Sequence, residues 1–224
     1  MPLKLIIGNK NYSSWSLRPW LAMKVAGIPF EEEVISLDAA DFKPRVSKIS
    51  GSGKVPALDD GRVQVWESLA ILEYLAEMFP QAGLWPREAA ARARARAIAA
   101  EMHAGFAPLR RLLPMNMRRP ILPRELTPQA QANVQRIELI WTDCRTRFGA
   151  GGPFLFGAFG AADAMYAPVV SRFHTYAVAL GPAARAYMAA IMNLPAWKEW
   201  LAAARDETWV LAEDEVDWPT VLRE

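Results

Sequence analysis

The chain has 224 residues, 52% hydrophobic and 22% charged, enough for one large domain or two small ones with a sizeable core. Its net charge of +2 is too balanced to imply nucleic acid or an acidic membrane as partner. The single cysteine, Cys144, excludes an intramolecular disulfide and fits a reducing compartment.

No basic segment followed by a long apolar stretch opens the sequence, so no signal peptide is expected. "LKLIIG" (3–8) reads as a strand, and "SLRPWLAMKVAG" (16–27) as a helix closed by Gly27. Between them "NKNYSS" forms a strand-loop-helix joint. Helix N-termini present unpaired N–H groups, so such joints often bind a ligand. Ser13 and Ser14 there are either caps or ligand contacts. "FEEEVISL" (30–37) alternates as a second strand, and "FKPRVSKISGSGK" reads as a loop with at most a short helix. "VPAL" (55–58) and "RVQVW" (62–66) flank the hairpin signal "DDG". "ESLAILEYLAEMF" (67–79) has helical spacing, with Glu67 and Ser68 at its start. The order is β-α-β, then β-β-α.

After Pro86 the composition changes. An Ala- and Arg-rich helical stretch covers 87–116, and "TPQAQANVQRIELIWTDCRTRF" is a long helix with Thr127 as cap and Pro128 in its first turn. The uncharged stretch before Asp163 is Gly-rich and holds Pro153, so it does not read as a membrane span. A helix over 161–180 follows, then two shorter ones opened by Pro182 and Pro195. The expected domains are an α/β unit over 1–80, a linker over 81–86 and an all-α unit over 87–224. The expected location is the cytoplasm.

Two motifs carry chemistry. X-Pro bonds are mostly trans, and "VP" can be an ordinary strand start. A cis bond at Val55–Pro56 would instead turn the backbone and offer the N–H and C=O of Val55 to a ligand. Glu67 and Ser68 can be a plain helix start. Alternatively, the Ser68 hydroxyl and the first N–H groups hold a carboxylate while Glu67 holds an ammonium, which together suit an amino-acid head group.

The element order with "VP" and "ESLAILEYL" resembles the thioredoxin-like half of the cytosolic glutathione transferases. "FLFGAFGAADAMYAPVV" resembles the start of that family's buried helix, and "LPAWKEWLAAARDE" its closing helix. "YSSWSLRPW" is most similar to zeta-like and other bacterial serine-type members. Two positions depart from the pattern. Gly160 stands where the family usually has a capping Ser or Thr, and Trp15 where zeta-like members carry cysteine.

The resemblance implies a transferase that holds a glutathione thiolate for attack on a small electrophile, without a metal. Alternatives are a zeta-like isomerase or dehalogenase of small organic acids, and a non-catalytic protein-binding module. It implies Ser13 and Ser14 as the catalytic pair, with Ser13 at the thiol and Ser14 as cap. Glutathione would be bound by Lys54, Val55, Pro56, Glu67 and Ser68. The electrophile would meet Trp15, Met102, His103, Phe106 and Arg110. Arg18 reads as structural, tying its helix to the second domain, and Cys144 as a core thiol. The family pattern implies a homodimer. The eight arginines between Arg87 and Arg119 read as a solvated face, without the aromatic interleaving of a nucleic-acid site.

Overall fold

A computed structural model describes residues 2–216. β1 (Leu3–Ile7), β2 (Phe30–Val34), β3 (Ala57–Asp59) and β4 (Gln64–Trp66) form one sheet in the order β2-β1-β3-β4. β1 runs parallel to β2 and antiparallel to β3, so Leu5 lies opposite both Glu32 and Leu58. The twofold alternation of a strand divides the side chains of β1. Leu5 and Ile7 enter the main core. Ile6 points the other way, into a small cluster with Ile35, Val46 and Ala57 beside α2 (Phe42–Val46).

The main face is covered by α1 (Ser14–Val25) and α3 (Ser68–Met78). α1 begins two residues before the expected Ser16 and closes at Gly27, whose φ of +66° suits a residue without Cβ. The hairpin turn forms as expected. The Asp60 carboxylate accepts the N–H groups of Arg62 and Val63 at 2.8 and 2.7 Å.

The second half contains α4 (Ala89–Ala104), α5 (Ala107–Leu112), α6 (Pro128–Phe148), α7 (Ala161–Thr175), α8 (Pro182–Met192) and α9 (Pro195–Asp206). Thr127 caps α6 by accepting from the Ala130 N–H at 3.2 Å. The helix expected over 87–116 is two helices. The chain turns at Gly105 and at Phe106, whose φ is +61°, and Pro108 cannot donate back across the break.

Every residue of α7 except His174 is buried, and the helix packs against α1 and α4. Its start explains the departure at Gly160. Asp163, fully buried, accepts from the N–H groups of Gly160 and Leu155 at 2.9 and 3.0 Å. A Cβ on residue 160 would lie 2.8 Å from the Leu84 carbonyl oxygen. That same carbonyl accepts the Ala161 N–H at 2.7 Å. Linker backbone therefore occupies the space a capping serine would need. One core runs through both halves, from Leu5 and Trp20 to Trp141 and Tyr166. Cys144 is a fully buried free thiol within it, pushed up by burial. Among the described residues, no helix is long and apolar enough to cross a membrane, and no cluster of side chains is grouped to hold a metal.

Candidate active site

The β1–α1 joint is polar, and most of its partners come from the helical half. The Glu207 carboxylate, just past α9, accepts the N–H groups of Lys10 and Asn11 at 2.6 and 2.9 Å. The Asn11 side chain donates to Asn116 Oδ1 and accepts from the Arg118 N–H, both at 2.9 Å. Trp200 Nε1 donates to the Lys10 carbonyl at 2.9 Å, and the Tyr12 hydroxyl donates to Glu215 at 2.5 Å. A loop whose backbone groups are satisfied this way is held in one conformation.

The two serines differ. Ser13 occupies the N-cap position of α1 without a side-chain cap bond. Its Oγ donates to Ser16 Oγ at 2.7 Å, and that oxygen also accepts the Gly8 N–H at 3.1 Å. Ser14 is the first helical residue, so the expected cap role for it does not hold. Among the described residues its hydroxyl has no hydrogen-bond partner; both serines line a cavity of about 380 Å³. Ser14 thus brings a free donor to the positive end of a helix.

A second, smaller cavity of about 160 Å³ adjoins the first and shares Trp15, Lys54 and Val55 with it. Its other walls are Ser52, Pro56 and Glu67. The Val55–Pro56 bond is cis, and Glu67 has a φ of +70° at the start of α3. Ser68 is fully buried below this cavity, where its Oγ accepts from Arg18 Nη1 at 3.4 Å. The expected hydroxyl contact to a ligand is therefore replaced by a contact to Arg18. Arg18 is itself fully buried, with its guanidinium 4.0 Å from the Trp15 ring centre. Its hydrogen bond to Ser68 stays within the α/β half rather than tying α1 to the helices. Burial, and then Arg172 and Arg110, hold it well below the usual arginine range.

The larger cavity extends to Arg110, Pro114, Met115, Arg172, Glu213 and Asp214. Arg172 projects from α7. Its Nε and Nη1 donate to the carbonyls of Leu113 and Pro168 at 2.8 and 3.2 Å. Burial first, then Arg110, pushes it down to about 10. Asp214, on a 3-10 turn at Ala212–Asp214, is pushed up to about 6 by burial and then by Glu213.

His103 stands behind Trp15, edge-on at 5.3 Å between ring centres, with Nε2 3.7 Å from Glu67 Oε2. Burial, and then Arg18, holds it below the ordinary histidine value. Met102 (0% exposed) and Phe106 (8%) pack in the core, which corrects their expected place at the electrophile. Helical spacing gave the right helix but not its inward face. Arg172, Glu213 and Asp214 were not expected. A lone arginine in the apolar run "APVVSRF" was the available signal for the first. A depression of about 520 Å³ lined by Lys4, Glu31, Asp59 and Gln64 crosses all four strands and shares no residue with either cavity.

Residues 12–78 match the family described as glutathione S-transferase, N-terminal domain. A probable maleylacetoacetate isomerase of Caenorhabditis elegans is 38% identical over 100 residues, 44% of this chain and 45% of that one. A maleylpyruvate isomerase of Ralstonia is 33% identical over 111 residues, 46% of this chain and 52% of that one. These matches span about half the length of either relative. Among solved structures, a Burkholderia glutathione transferase homologue with bound glutathione superposes with a TM-score of 0.67 at 22% identity, covering 92% of this chain and 99% of that one. The stretch from Tyr12 to Met78 thus matches the glutathione S-transferase N-terminal domain family, and the described residues have the fold of a glutathione transferase.

Proposed function

We propose that the protein is a glutathione transferase in which Ser14 and the N-terminus of α1 stabilise the glutathione thiolate. The observation that carries this reading is the free Ser14 hydroxyl in a cavity adjoining the Val55–Glu67 pocket. A free thiol has a pKa near ~8.5 and is mostly protonated at neutral pH. A hydroxyl donor together with the helix end favours the anion. The thiolate attacks the electrophile, and no side chain forms a covalent bond. Val55 pairs with the cysteinyl backbone of glutathione, Glu67 with its ammonium, the first N–H groups of α3 with its γ-glutamyl carboxylate, and Lys54 with its glycyl carboxylate. Ser13 holds Ser16 and positions the joint.

Arg110 and Arg172 favour a second form of the same reading, an isomerase or dehalogenase of small organic acids. Relatives named as maleylacetoacetate isomerase, maleylpyruvate isomerase and dichloromethane dehalogenase support it. The protein works as a cytoplasmic homodimer in this reading. The exposed Val63, Trp66 and Met78 on the β4–α3 side offer the apolar surface for a second copy.

The test is titration calorimetry with glutathione. The wild type should bind, and Glu67→Ala should weaken binding about tenfold, the loss of one exposed charged contact. No heat of binding to the wild type would remove the reading.

A further inference from the structure

A separate cavity of about 240 Å³ lies among α7, α9 and the loop that carries Met117, Arg119 and Ile121. It shares no residue with the two cavities proposed for glutathione and its electrophile. α7 serves both sides. Arg172 lines the electrophile cavity, while Ser171, His174 and Thr175 line this one. Ser171 and Thr175 stand one turn apart on the same helix face, 3% and 5% exposed. Among the described residues neither hydroxyl has a hydrogen-bond partner. A buried hydroxyl without a partner carries a desolvation cost, which an acceptor on a ligand relieves.

The charged residues that line this cavity, among those described, are Arg119, Lys198 and Arg205, and no acid is among them. Arg119 is part of the frame: its Nη1 donates to the carbonyls of Leu122 and Thr175 at 2.9 and 3.0 Å, which pins the loop to α7. Lys198 and Arg205 are exposed on α9, and neither has an ion-pair partner among the described residues. Burial first, then Arg205, holds His174 below the ordinary histidine value, so Arg205 faces the α7 surface that carries the two hydroxyls. The rest of the lining is apolar, with Trp197 and Met117 both buried. Donors and cations at a cavity with an aromatic wall match an anion on a flat apolar body. The volume is below the ~300 Å³ at which drug-sized pockets begin, so the body is one or two rings. We propose that this cavity is a second ligand site, for a small aromatic monocarboxylate: Ser171 and Thr175 donate to the carboxylate, Arg205 and Lys198 offset its charge, and the ring lies against Trp197 and Met117.

The test is titration calorimetry with 1-naphthoate on the full chain, with the neutral 1-naphthalenemethanol as control. The wild type should bind the acid with a Kd of about 0.1–1 mM, and the alcohol at least about fivefold more weakly. K198E/R205E, at exposed positions where folding is not at stake, should weaken the acid at least about tenfold. S171A/T175V, which removes the hydroxyls and nearly keeps the shape, should do the same. Affinity for the acid should be unchanged when S-hexylglutathione, which fills the glutathione pocket and reaches into the electrophile cavity, is present at saturation. No binding of the acid by the wild type, equal binding of acid and alcohol, or full affinity in both variants overturns the second site. Displacement of the acid by S-hexylglutathione also overturns it, since the acid then sits in the electrophile cavity. Failure of S-hexylglutathione itself to bind removes the transferase reading alone, and the two variants still decide the second site.

Discussion

The two walls of the site are built differently. The wall proposed for glutathione comes from one stretch, Ser52 to Glu67, closed by Trp15. It is shaped by backbone: a cis Val55–Pro56 bond, a positive φ at Glu67 and the exposed start of α3. The wall proposed for the electrophile gathers Arg110, Met115, Arg172 and Asp214 from four separate segments, and its charges are buried or half-buried. A wall made of local backbone changes little when one side chain is replaced. A wall of assembled charges depends on the helices that carry them and on pH. In the proposed function this difference separates a site for one constant thiol from a site for variable electrophiles.

The largest effect is expected at the root of α7, the helix that carries Arg172 into the second wall. Asp163→Ala leaves the N–H groups of Leu155 and Gly160 without their acceptor at the start of the helix that carries Arg172. Two unsatisfied donors should cost about 2–4 kcal/mol of unfolding free energy, read by urea denaturation. A loss below about 1 kcal/mol would mean that the Leu84 carbonyl and its neighbours suffice to cap α7.

A smaller effect sharpens the comparison through pH. The Asp214 carboxyl sits at about 6, raised by burial, Glu213 and Glu215, and lowered by Arg172. Arg110 and Lys54 share the cavity. In the unfolded chain an aspartate titrates near ~3.9. A folded acid with a raised pKa keeps its proton where the unfolded chain has lost it. Its contribution to stability therefore falls as pH rises from about 4 through 6 and is constant above. Asp214→Asn removes that slope. The melting temperature of the variant minus that of the wild type should grow between pH 4 and 6 and then level off. A difference independent of pH would mean that Asp214 is more solvated than its position implies.

The legibility of the two walls in sequence follows the same division. Strand alternation, the "DDG" turn and the β-β-α order are short-range signals, and they led to Val55, Pro56 and Glu67 lining one pocket. Ser68 fell one residue from the surface, because a helix start in sequence does not reveal which first-turn side chain turns inward. The Ala- and Arg-rich stretch after Pro86 has weak amphipathic contrast, so Met102 and Phe106 were assigned to a cavity when they belong to the core. The break at Gly105–Phe106 stayed hidden for the same reason. The turn at 212–214 has no periodicity, and its place beside the site depends on contacts with a joint some 200 residues earlier in the chain.

The central claim is that Ser14 supplies the donor to the thiolate while Ser13 serves the joint. The measurement is an ultraviolet titration of glutathione bound to the wild type, Ser14→Ala and Ser13→Ala. Loss of a hydrogen bond to an anion is worth about 1.5–3 kcal/mol, so Ser14→Ala should raise the thiol pKa by about one to two units. Ser13→Ala should leave it nearly unchanged, because its hydroxyl is engaged with Ser16. A shift in Ser13→Ala with none in Ser14→Ala would contradict the account.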